Sequence, residues 1–85
     1  MIVMEESKAR TLKALGLLIR QYRTSVGVSQ EELGLRCNLD RTYISGLERG
    51  VRNPSLTALA ALAIGLNITV SQLLKNLEVE AKNIK

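Results

Sequence analysis

Histidine, phenylalanine and tryptophan are absent from this 85-residue chain, which has one cysteine and one proline. Each absence removes a class of protein. Without histidine there is no His-based general acid–base catalyst, and with a single thiol besides there is no Cys/His zinc site within one chain. One cysteine excludes an internal disulfide framework; Cys37 reads as a small core residue and not as a redox sensor. A chain rich in Leu, Ala and Ile but lacking Phe and Trp suits close helix packing better than a sheet sandwich, which draws on aromatic and β-branched side chains. No cofactor-binding glycine motif and no carboxylate pair suited to a pocket are present, so neither an enzyme nor a cofactor is expected.

Long hydrophobic runs are missing too. The longest apolar stretch, Leu56 to Leu66, is interrupted by Thr57 and Gly65 and is too short for a bilayer. Met1 to Met4 is too short for a signal peptide and runs straight into Glu5 and Glu6. The expectation is a soluble cytoplasmic protein, with no membrane partner. Its length fits one domain over residues 1–85, with a core over about 8–77 and frayed ends, and leaves little room for an enclosed cavity. No small-molecule ligand is expected. The net charge of +4 fits a polyanionic partner.

What is present reads as five helices. Leu12, Leu15, Ile19 and Tyr22 recur at helical spacing, giving a first helix from Ser7 to about Ser25 that Gly27 stops. Ser29-Gln30-Glu31-Glu32 has the form of a capping box and opens a short second helix, with Leu33 and Cys37 inward. Asn38 stands where a left-handed C-cap is wanted. Asp40 caps a third helix, Arg41 to Arg49, closed by Gly50, with Ile44 and Leu47 inward. After the Asn53-Pro54-Ser55 turn, Ser55 caps a fourth helix, Leu56 to Leu66. Thr69-Val70-Ser71-Gln72 is a second capping box, opening a fifth helix through Leu73, Leu74 and Leu77. Beyond Glu78 the pattern turns polar, and the end is expected to fray.

The segment Ser29 to Gly50 carries the most information. Two helices joined only by Asn38-Leu39-Asp40 are connected too tightly for antiparallel stacking, which suits the steep crossing of a helix-turn-helix. On a wheel of 100° per residue, Ile44 and Leu47 define the inner face of the third helix. Thr42, Ser45, Gly46 and Arg49 lie opposite, with Arg41 beside them and Tyr43 on a flank. An outward face of short, hydrogen-bonding side chains lets a helix sink into a major groove, where base edges present distinct donors and acceptors.

These residues carry a resemblance. Gln30-Glu31-Glu32-Leu33, then Leu39 through Gly50, then Arg52-Asn53-Pro54-Ser55, resemble the lambda-repressor-like helix-turn-helix family across roughly Leu15 to Leu74. The run Asp-Arg-Thr-Tyr-Ile-Ser-Gly looks most like the controller proteins of restriction-modification systems. The resemblance implies a compact all-α DNA-binding domain and a dimeric transcription regulator of a small operon, activator or repressor, on a roughly palindromic double-stranded operator. It also implies roles residue by residue. Gln30 would clamp a backbone phosphate; Arg41, Thr42 and Ser45 would face bases, with Arg41 reading guanine. Tyr43 would reach a phosphate, Arg52 and Asn53 would contact the backbone, and Arg23 would pair with Glu48. Arg49, placed on the outward face by the wheel and not by the resemblance, is read as touching DNA or pairing with a nearby acid.

Two departures stand out. Gly46 occupies a position that often carries a base-reading side chain, and is read as letting the backbone approach DNA closely. Gly34 replaces a small helix former. A single short recognition helix reads few base pairs, so a homodimer is expected, and Leu62, Leu66, Ile68, Val70, Leu73 and Leu77 are assigned to a two-fold interface on helices four and five. The competing readings are an antitoxin, a phage-type repressor, or a protein-interaction module on the same fold.

Overall fold

A computed structural model describes residues 5–84, with side chains from Ser7 onward. Met1 to Met4 lie outside the described residues. The chain is all-α, and among the described residues there are six helices and no strand: α1 (Glu5–Val26), α2 (Gln30–Cys37), α3 (Arg41–Glu48), α4 (Leu56–Gly65), α5 (Val70–Leu74) and α6 (Leu77–Asn83).

Local chemistry sets most of the boundaries. The Ser29 side chain accepts from the Glu32 N–H, that of Asp40 from Thr42, and that of Ser55 from Ala58. Each satisfies one of the N–H groups that a helix start leaves without a partner. Thr69 and Gln72 cap α5 reciprocally, whereas Ser29 and Glu32 form only the Ser29 half of a capping box. The Glu32 carboxylate instead lies 3.9 Å from Arg36, one turn on. Asn38 ends α2 at φ 57°, its N–H serving the carbonyls of Gly34 and Leu35. Gly27 and Gly50 turn the chain at φ 78° and 77°.

The fifth predicted helix is two. The chain breaks after Leu74, and α6 then runs to Asn83 where fraying was expected. Leu77, Glu80, Ala81 and Ile84 repeat at helical spacing and are all half-buried, and α6 packs back on α1. Burial of that narrow stripe outweighs the polar composition of the segment.

One core joins the helices. Leu15 and Ile19 of α1, Leu33 and Cys37 of α2, Ile44 and Leu47 of α3, Leu62 and Leu66 at the end of α4, and Leu73 of α5 form a single buried cluster. Burial pushes the Cys37 thiol above its ordinary value, consistent with a packing role. The sequence pattern places Leu62, Leu66 and Leu73 at a dimer interface; at 0%, 1% and 0% exposure they belong instead to the protomer's own core. Half of that interface assignment is therefore corrected. A domain this small has few apolar side chains to spare, and these three fill the space between α4, α5 and α2.

Candidate nucleic-acid interface

The helix-turn-helix is α2, the turn Asn38-Leu39-Asp40, and α3. Close backbone contact fixes it at two glycines. A β-carbon on Gly34 would stand 2.6 Å from the Leu39 carbonyl oxygen, so the turn folds directly against α2. A β-carbon on Gly16 would stand 2.5 Å from the carbonyl oxygen of Leu47 and 2.6 Å from that of Glu48. Helix α1 therefore touches the end of α3 backbone to backbone. Gly34, a departure in the sequence, has its reason in this turn. Gly16 escaped notice there, because a glycine inside a periodic apolar stretch announces no partner.

Behind α3 the structure brings Arg23 and Glu48 together. Arg23 Nε donates to Glu48 Oε2 at 2.6 Å and Nη2 donates to Oε1 at 3.0 Å, a bidentate pair. Nη1 donates to the Val28 carbonyl at 2.9 Å, and the two side chains are 13% and 5% exposed. The bond to Glu48 holds the Arg23 guanidinium even more firmly protonated than usual. Gln30 joins the cluster, its amide donating to Glu48 Oε1 at 3.1 Å. A primary amide has a second N–H, so this bond orients Gln30 at the start of α2 without exhausting it. Gln30 lines a polar groove with Arg23, Ser29, Glu31 and Arg41.

In front, Ile44 and Leu47 are buried while Arg41, Thr42 and Arg49 are exposed and Ser45 is half-buried. The carboxylate of Asp40 receives both the N–H and the hydroxyl of Thr42, at 2.8 and 2.6 Å. These bonds hold the Asp40 carboxyl below the usual range. They also tie the Thr42 hydroxyl back to the residue that caps the helix. Arg49 Nε donates to Ser45 Oγ at a long 3.4 Å. No acid lies within ion-pairing distance of Arg41, Arg49 or Arg52 among the described residues. Arg41 stands in the first turn of α3, which holds no acidic side chain. A cation there opposes the helix dipole by roughly 0.3–1 kcal/mol, a placement that stability does not explain.

One assignment on this face changes. Gly46 is buried, and a β-carbon there would meet Arg52 Cγ at 2.6 Å. The stem of Arg52 folds over Gly46, and its guanidinium carbon lies 5.8 Å from the centroid of the Tyr43 ring. The space at Gly46 is thus filled by the protein's own arginine and is not open to a duplex backbone. Tyr43 is half-buried and Asn53 is exposed in the turn before α4.

Comparison with known proteins agrees with this geometry. A helix-turn-helix family, HTH_3, matches residues 19–73. The chain is 42% identical over 62 residues to Control protein C.MunI from Mycoplasma sp, spanning 73% of this chain and 81% of that one. It matches the structure of the restriction-modification controller protein C.AhdI from Aeromonas hydrophila with a TM-score of 0.72 and 44% identity, over 73% of this chain and 94% of that one. The controller protein C.Esp1396I, solved as a tetramer in complex with its natural 35 base-pair operator, matches with a TM-score of 0.76 and 35% identity, over 85% and 95% of the two chains.

Proposed function

The chain belongs to the helix-turn-helix family, and on that premise we propose that it is a sequence-specific double-stranded DNA-binding transcription regulator, a homodimeric controller of a restriction-modification or similar small operon. The observation that carries the reading is the outward face of α3. It bears arginines that no acid neutralises among the described residues, on a helix locked from behind by Glu48, Ile44 and Leu47. Nothing in the monomer's stability asks for that arrangement. Such a site does no bond-making chemistry; the protein is not an enzyme.

In this reading two α3 helices enter successive major grooves about 34 Å apart on an imperfect palindrome. Arg41 reads guanine, Thr42 and Ser45 lie against base edges, and Arg49 contributes charge beside them. Gln30, Tyr43 and Asn53 hold phosphates. Bound over a promoter the dimer blocks polymerase, and bound just upstream it recruits it. This work is done where the DNA is, in the cytoplasm. Among the described residues no single helix is long and apolar enough to cross a membrane.

The pairing surface is redrawn around what stays outside the core. Ile68, Val70 and Leu77 are half-buried, and Ile64, four residues before Ile68, is 77% exposed on α4. These four side chains form the proposed interface. Sedimentation of Ile64→Asp is expected to show monomer at micromolar concentration where the parent is dimeric.

Selection of bound sites from random duplex DNA tests the whole reading. The expected result is a two-fold symmetric motif of fixed spacing, bound with an affinity that falls steeply as salt rises. Recovery of no motif, or equal binding to every duplex, overturns it.

A further inference from the structure

Between its two arginines the face of α3 that turns toward a duplex carries only short side chains, whose hydroxyls are partly engaged within the protein. The Thr42 hydroxyl donates to Asp40, Ser45 Oγ receives Arg49, and Gly46 has no side chain. Into this gap comes a side chain from outside the helix. Arg52, four residues past the end of α3, lays its stem on the α3 backbone. A β-carbon on Gly46 would meet its Cγ, Nε and Cδ at 2.6, 3.4 and 3.6 Å. The Tyr43 ring lies under its guanidinium at 5.8 Å, and the side chain is exposed and pairs with no acid among the described residues.

From this we propose that Arg52 is a base-reading, specificity-determining residue and that Gly46 is the slot that seats it. The proposal rests on the DNA-binding reading above and replaces the backbone contact that the family resemblance implies for Arg52. A phosphate contact needs only a positive charge at the groove rim. What the structure holds instead is a planar donor fork whose stem lies over Gly46 and whose guanidinium carbon is 5.8 Å from the Tyr43 ring centroid, and such a fork can take guanine O6 and N7 bidentately. Seating the stem before binding also limits the rotamer freedom lost on binding. On the helical wheel Gly46 lies on the Tyr43 side of the outward face, and Arg41 lies on the other. The two arginines therefore address different base pairs. A side chain at position 46 would read a base itself; its absence hands that place to the loop.

The test is site selection from random duplexes with the parent protein, R52K, R52A and G46A, alongside the salt dependence of binding. The parent is expected to specify two separate arginine-read positions per half-site. R52K keeps the charge but not the fork, and is expected to lose preference at one of those positions by roughly tenfold. G46A is expected to melt no lower than the parent, since alanine is the better helix former, and to relax the same position because its methyl displaces the Arg52 stem. If R52K keeps the full preference, the proposal is overturned. It is overturned equally if R52A weakens every sequence alike and lowers the salt slope by about one, as a phosphate contact would. A parent protein that selects no motif at all sinks the regulator reading and this one with it, whereas a motif that survives R52K intact sinks this one alone.

Discussion

The two sides of α3 are built on opposite rules. The inner side is over-determined: Ile44 and Leu47 are buried, Glu48 receives hydrogen bonds from Arg23 and Gln30, and the backbone at Leu47 and Glu48 meets Gly16 with no side chain between them. The outer side is under-committed, with arginines that have no acidic partner among the described residues and one hydroxyl bonded back to Asp40. A rigid back and an unsatisfied front let a short helix hold charge that it does not need for folding. The difference teaches that stability and affinity are written on separate residues of the same eight-residue element. Substitutions can therefore pull the two apart.

The sharpest way to break that separation is Glu48→Ala. It leaves Arg23 with only its bond to the Val28 carbonyl and is expected to cost roughly 2–3 kcal/mol of stability, as for the loss of charged hydrogen bonds in a part-buried site. Chemical denaturation measures this, and a cost below 1 kcal/mol would show that the inner side is not anchored as described. Gly16→Ala comes next. Its methyl meets two backbone carbonyls that cannot swing aside, so a loss of roughly 2 kcal/mol is expected from overpacking. Because α3 must shift to admit the methyl, operator affinity should fall with it.

Arg41→Ala acts on the other side. Binding to the selected operator is expected to weaken by roughly 1–3 kcal/mol, with relaxed specificity at one position per half-site. Stability should stay within about 0.5 kcal/mol of the parent, as for other surface changes. A variant that binds weakly because it unfolds would contradict the comparison. The smallest effect is in acid. Asp40 titrates below its ordinary value because Thr42 donates to its charged form. Its contribution to stability is present above the usual carboxylate range and is lost as pH falls through that lowered value. Melting curves of the parent should therefore drop more steeply below about pH 4 than those of Asp40→Asn, an N-cap that does not titrate.

Most of the fold is legible before any coordinates, because its boundaries are local. Ser29, Asp40, Ser55 and Thr69 announce helix starts by side-chain chemistry, and Asn38 announces an end by its tolerance of positive φ. What escapes is whatever depends on a neighbour distant in sequence. The helix at Leu77–Asn83 is polar in composition and exists because a narrow stripe finds α1. Leu62, Leu66 and Leu73 look like spare apolar surface until the volume between three helices is filled by them. In the site, the wheel places Arg41, Thr42, Ser45 and Arg49 outward correctly, since periodicity alone decides it. The wheel cannot show that Arg52 folds back over Gly46, because a loop has no period to read.

The contact at Gly16 reaches beyond the helix it braces. Where two helices meet through a layer of interlocking side chains, each exchange of one apolar residue for another resets their separation by some fraction of an ångström. Here carbonyl oxygens meet a bare α-carbon, so that separation is set by the chain itself. Exchanges among leucine, isoleucine and valine around it should therefore leave the spacing of α1 and α3 nearly unchanged. The cost of that freedom falls on position 16, where any side chain would press on the carbonyls of Leu47 and Glu48.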